Sequence, residues 1–181
     1  MRVRISPSQV SGRVSAPPSK SYTHRAVILA SLSEGECDII NPLNSRDTLA
    51  SFNACKALGV EIEAQERLWR VSGTGRIHTP EDVINVENSG TTLRIITAVS
   101  ALAPGGYTVL TGDGSTRRRP MQPLLDALHG LGVECWSTRV DGTAPIVVRG
   151  GGIEGGETWI RGDISSQFIS ALLISTPKAE E

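Results

Sequence analysis

Three consecutive arginines, Arg117-Arg118-Arg119, stand in the run TGDGSTRRRP (111–120), directly before a proline that suits the start of a helix. Like charges at adjacent positions repel, and cations at a helix start oppose its macrodipole, so the cluster is costly unless an anion offsets both terms. Besides a small anion, a solvated charged face and a nucleic-acid patch could account for it. The last lacks interleaved aromatics and basic support elsewhere in the chain. Three more polar segments also lie at turns that feed helices. In PPSKSYTHR (17–25) two prolines hold the chain extended, Lys20 and Ser21 precede a helix, and His24 and Arg25 fall in its first turns. A helix start presents unpaired N–H groups and a partial positive charge. With Lys20, a serine hydroxyl and Arg25 it makes either a clamp for phosphate or carboxylate or an ordinary N-cap beside a solvated lysine. In NSGTTLR (88–94), Gly90 permits close backbone approach, Thr91 and Thr92 offer hydroxyls, and Arg94 lies one turn on; alone this is a capping sequence. GDISSQF (162–168) brings Ser165, Ser166 and Gln167, neutral hydrogen-bonders suited to hydroxyl, carboxylate or phosphate oxygens, or again to a cap.

What must position these turns is legible in an internal repeat. ALGVEI (57–62) and GLGVEC (130–135) match at an offset of 73; GECDII (35–40) parallels GGYTVL (105–110), and RVSG (70–73) parallels VVRG (147–150). Each unit reads as helix (21–32; 91–102), strand (36–41; 107–111), helix (46–57; 121–130) and two closing strands (60–64 with 68–72; 133–137 with 145–149). Gly59 and Gly132 follow the second helices as C-cap glycines do. A third unit opens with a strand-like 157–160 and a helix over 166–175. The pattern calls for a further strand, helix and strand pair, so the third repeat is expected to be incomplete and the chain a fragment. If the repeats share one core, their equivalent turns gather on one face, and Lys20, Arg25, Arg94, Arg119 and Gln167 converge on one pocket for a polyanion.

Composition limits the alternatives. A net charge of −1 provides no global field for nucleic acid or an acidic membrane. No apolar run approaches the roughly 20 residues of a membrane span, and no signal-peptide pattern follows the start, so a cytoplasmic protein is expected. Residues 1–6 alternate like a strand. Cys37, Cys55 and Cys135, odd in number and widely spaced, are expected to be buried thiols and not disulfides. His24, His78 and His129 have no metal-ligand spacing, and the chain lacks both GxxxxGK[ST] and GxGxxG.

SKSYTHRA, NSGTTLR, GDGSTRRRPMQPLLDAL and DISSQFISALL, in that order, resemble the signatures of the 5-enolpyruvylshikimate-3-phosphate synthase family, over about residue 10 to the last residue. The resemblance implies an α/β (α+β) fold of repeated βαβαββ units, an inside-out α/β barrel. Residues 15–181 would form the substrate-binding repeat domain (repeats about 15–75, 76–152 and a truncated 153–181), with 1–14 belonging to, or linking to, a second, mostly absent domain. It implies transfer of the enolpyruvyl group of phosphoenolpyruvate to the 5-hydroxyl of shikimate 3-phosphate, releasing phosphate, without metal or organic cofactor. By motif, Lys20 is the catalytic residue and contacts both substrates. Ser21, Arg25, Ser165, Ser166 and Gln167 hold shikimate 3-phosphate; Gly90, Arg119 and Gln167, with Lys20, hold phosphoenolpyruvate; Asn88, Thr91 and Arg94 shape the same wall. The family's acid–base carboxylates resemble nothing here and belong to a C-terminal half, which could act in trans. Asn44-Ser45-Arg46-Asp47 departs from the two consecutive acids of many relatives. Two other functions remain: a non-catalytic anion-binding module, and the sister UDP-N-acetylglucosamine enolpyruvyl transferase, whose reactive cysteine has no counterpart in 111–120.

Overall fold

The computed structural model describes residues 3–180. Serines start four of its five α-helices: Ser19 caps α1 (Lys20–Leu32), Ser45 caps α2 (Arg46–Ala57), Ser89 caps α3 (Gly90–Ser100) and Ser165 caps a helix at Ser166–Ser175. Each hydroxyl accepts a backbone N–H two or three residues on, which satisfies one orphan donor and contributes about 1 kcal/mol. The fifth, α4 (Gln122–His129), starts instead with a proline in its first turn; the Ser166–Ser175 helix is α5.

The strands form two sheets whose pairing repeats. β1 (Glu34–Ile40), β2 (Glu61–Gln65) and β3 (Leu68–Thr74) are antiparallel in the order β1-β3-β2. β4 (Ile84–Asn85), β5 (Tyr107–Thr111), β6 (Cys135–Ser137) and β7 (Ile146–Arg149) run β4-β5-β7-β6, with β4 parallel to β5 and the rest antiparallel. In both units the strand after the first helix pairs with the last strand, which pairs with the one before it. The offset seen in the sequence is thus an offset of structure, and the fold is α/β.

α3 is the central helix, packed on α5 and α2, while α2 also packs on α1. Nine of its residues are buried. Its inward Thr97 and Ser100 hydroxyls donate to Leu93 O and Ile96 O, so polar atoms enter the core already satisfied. Trp69, edge-on to Phe52, and Phe168 are the largest apolar groups of one continuous core.

Four expectations change. Residues 157–160 form no strand, and Trp159 is exposed. In the second unit the equivalent β4 is held by the strand after its helix; after α5 there is only a 3-10 turn (Thr176–Lys178). Pro120 does not start a helix: Thr116–Arg118 form a 3-10 turn and α4 begins at Gln122. Lys20 and Ser21 lie inside α1 because Ser19, not they, caps it. Cys37 is exposed, since β1 is a sheet edge open to solvent along most of its length; Cys55 and Cys135 are buried. The strand-like alternation of 1–6 falls partly outside the described residues, and residues 3–19 hold neither helix nor strand. Among the described residues no helix is long and apolar enough to cross a membrane.

Candidate functional site

The opening turns of α1, α2, α3 and α5 are joined by a closed circuit of side-chain hydrogen bonds. From α1, Arg25 Nη2 donates to Ser170 Oγ on α5 (2.7 Å). From α5, Gln167 Nε2 donates to Thr91 Oγ1 on α3 (2.9 Å), while Arg94 Nη1 of α3 donates back to Gln167 Oε1 (2.7 Å) and Ser165 Oγ (3.3 Å). α3 reaches α2 through Thr92 Oγ1 and Ser51 Oγ (2.7 Å), and α2 returns to α1 through Asp47 Oδ2 and Lys20 Nζ (2.7 Å).

The circuit gathers residues that the sequence scatters over about 150 positions. Lys20, Arg25, Gly90, Thr91, Arg94, Ser165 and Gln167 lie on it or against it. Arg119 comes in from the turn before α4 and lays its guanidinium across Gly90. Ser21 and Ser166 are exposed beside it, and their carbonyls accept from Arg25 Nη1 (3.1 Å) and Ser170 Oγ (3.1 Å). Asn88 stands further out, donating to Asp113 Oδ2 (2.6 Å). Asp113 also accepts from the N–H groups of Ser115 and Thr116, so it fixes the turn that carries the arginines. The Asn88 bond, then that from Thr116, holds its carboxyl down at about 2. Of the three adjacent arginines only Arg119 turns inward; Arg117 and Arg118 are exposed.

Among the described residues, Arg25, Arg94 and Arg119 are the only arginines that are not exposed, and none is paired with a carboxylate. By contrast the exposed Arg70, Arg139, Arg149 and Arg161 each hold an acid. Burial, then the neighbouring Arg119, lowers the pKa of Arg94, whose Nε is buried without a partner and whose guanidinium stacks 4.8 Å from the Phe168 ring centre. Half-buried cations without counter-charge, set at helix starts, are costly alone and are offset by a bound anion. Sequence reasoning missed Ser170 and left Asp47 without a role. The spacing 166-to-170 along α5 pointed to the former, but nothing local pointed to the latter.

Gly90 tests the arrangement. A Cβ there would fall on Arg119 Nη1 and lie 3.0 Å from its Cδ and Cζ. Because a side chain can swing away where backbone cannot, Gly90→Ala is expected to leave stability within about 0.5 kcal/mol of wild type in urea unfolding. Arg119 would be driven off the start of α3, and anion affinity measured by calorimetry should fall by about 10-fold.

Fold and site together define an α/β repeat protein with a cationic, hydroxyl-rich cradle at its helix starts. The family described as EPSP synthase (3-phosphoshikimate 1-carboxyvinyltransferase) matches residues 5–181, and the chain belongs to that family. It is 59% identical over 170 residues to the 3-phosphoshikimate 1-carboxyvinyltransferase of Methanothermobacter thermautotrophicus, covering 93% of this chain and 40% of that protein. To the protein of the same name from Methanocaldococcus jannaschii it is 53% identical over 175 residues, covering 96% of this chain and 41% of that one. The solved EPSP synthase of Acinetobacter baumannii superimposes with a TM-score of 0.83 at 28% identity, over 93% of this chain and 39% of that one. The chain thus spans about 40% of the length of the curated relatives it matches.

Proposed function

We propose that this chain supplies one wall of the site at which the enolpyruvyl group of phosphoenolpyruvate passes to the 5-hydroxyl of shikimate 3-phosphate, with release of phosphate in the cytoplasm. The observation that carries the reading is the set of three half-buried arginines without acids, joined at the helix starts. Both substrates are polyanions, and bringing them together requires cations that offset their repulsion and hold them in reacting geometry. Arg25, Ser21, Ser165, Ser166 and Gln167 take shikimate 3-phosphate. Arg119, with the Gly90 N–H and Gln167, takes phosphoenolpyruvate, and Lys20 stands between the two; Asn88, Thr91 and Arg94 hold the wall in place. Residues 15–181 form the substrate-binding domain, and 1–14 lead to or belong with another.

The one carboxylate on the circuit, Asp47, is engaged by Lys20. The proton transfers at the methylene carbon and the hydroxyl therefore fall to groups supplied by another part of the enzyme, in the same chain or in trans. This chain alone binds and does not turn over. Cys135 argues against the sister enzyme acting on a UDP-sugar: it is buried, and burial pushes its thiol up to about 12, where no thiolate forms near neutral pH.

Calorimetric titration with shikimate 3-phosphate, then phosphoenolpyruvate, tests the assignment. Arg119→Ala should weaken phosphoenolpyruvate at least about 10-fold, since a charge-assisted contact is lost. Cys135→Ala should leave it unchanged; equal effects, or no binding by wild type at millimolar ligand, would remove the reading.

A further inference from the structure

We infer that His24 is a positioning residue for this site: through a buried chain of hydroxyls it locks the opening turns of α1, α2 and α3 to one another. His24 Nδ1 lies 2.7 Å from Ser51 Oγ, Ser51 Oγ lies 2.7 Å from Thr92 Oγ1, and Thr92 Oγ1 lies 2.6 Å from Ser89 Oγ. All four side chains are at most 2% exposed. Three links need three protons, and the three hydroxyls provide them. With Nδ1 as the acceptor the protons run one way, from Ser89 to Thr92 to Ser51 to the ring. The neutral ring then keeps its own proton on Nε2, which has no partner, but all three links are made, and such a chain is stiff because no member can move without orphaning the next.

Each link stands one turn or less from a group of the cradle. Lys20 is four residues before His24 on α1, and Asp47 is four before Ser51 on α2; Gly90 and Thr91 lie between Ser89 and Thr92. The Lys20–Asp47 pair itself is half-open to solvent, where an ion pair fixes little. The rigid tie between α1 and α2 near the site is thus the His24–Ser51 bond beneath that pair. Without His24, Ser51 has an obvious alternative: a helical serine donates to the carbonyl four residues back, here Asp47 O. That shift releases Thr92 and lets the α2 start move against α3.

The inference rests on the reading of the site as one for shikimate 3-phosphate and phosphoenolpyruvate, so its test has two readouts. Shikimate 3-phosphate is titrated calorimetrically into wild type, His24→Leu, His24→Asn and Ser51→Ala, and backbone amide resonances are compared without ligand. Asparagine sets an amide near the place of Nδ1 and keeps the link to Ser51. His24→Leu and Ser51→Ala should each weaken binding about 10-fold, while His24→Asn stays within about three-fold, as small displacements of positioned groups are costly. In the first two variants the amides of Lys20, Asp47 and Thr91 should shift together, and those of Ser166 and Gln167 should hold. A folded His24→Leu that binds within about two-fold of wild type overturns the inference. So does a His24→Asn no better than His24→Leu. If His24→Leu does not fold, Ser51→Ala against His24→Asn decides on the same terms. Absence of wild-type binding would count against the ligand assignment alone. Amide shifts confined to the neighbours of the substituted residue would then count against the positioning role.

Discussion

Gly73→Ala should lower the unfolding free energy by about 3 kcal/mol, an overpacking penalty at the upper end of its range because the obstructing atoms are backbone. A Cβ at Gly73 would lie 2.5 Å from Ala30 O and closer still to Ser33 O. Neither carbonyl can retreat. Ala30 O accepts from Ser33 N (3.2 Å) and Ser33 O from Gly75 N (2.8 Å), so the end of α1 is fastened to the end of β3. Gly150 repeats the design one unit later: a Cβ there would lie 2.6 Å from Gly105 O and 2.7 Å from Ala103 O, with Gly150 N bonded to Gly106 O and Gly151 N to Ala103 O. Gly150→Ala should therefore cost a similar amount. At Gly105, where a Cβ meets nothing within 4 Å, alanine should leave stability within about 0.5 kcal/mol. Urea unfolding at constant m-value checks all three. A Gly73→Ala protein as stable as wild type would show that helix and strand ends can separate freely, and that the match of RVSG to VVRG has no structural meaning.

That match shows what could be read without coordinates. The helices over 46–57 and 166–175 have their expected bounds because a serine stands at each start and its hydroxyl acts on the next turn, a local effect. The repeat was legible because each landmark does one local job in both units: a strand, a turn glycine, a close approach. What escaped depends on atoms far apart in the chain. Nothing in RRR marks Arg119 as the inward one; the phase of the 3-10 turn decides it. Residues 157–160 have the composition of a strand, but a strand needs a neighbour, and none follows α5 among the described residues. Asp47 looked like a stray acid on a helix start until α1 was laid beside α2. Ser51 and Thr92 are unremarkable helix polar residues taken singly; only packing makes them consecutive links from His24 to Ser89.

The same histidine makes the fold sensitive to mild acid. Burial of the imidazole pushes the His24 pKa from 6.5 down to about 4; Asp47 opposes the shift, and Lys20 and Arg25 add to it. Above pH 6.5 the ring is neutral in folded and unfolded chain alike, so it contributes no pH dependence. As pH falls through 6.5 towards 4 the unfolded chain binds a proton that the folded chain refuses. Stability then drops, by about 3 kcal/mol in all, most of it by pH 4.5. The direction has a structural cause: a charged ring would gain an N–H at Nδ1, where the Ser51 hydroxyl already donates, while its Nε2 has no partner to share the charge. Depressed carboxylates also lose stability in acid, but in a lower window. Asp113, held at about 2, does so only below the ordinary aspartate value of 3.8. Between pH 7 and 4.5 the loss therefore belongs chiefly to His24. Urea midpoints at those two pH values should separate widely for wild type and stay close for His24→Asn, which has nothing to protonate. A parallel fall in both proteins would mean that the ring already carries its charge inside the fold, and that the buried chain to Ser51 tolerates it.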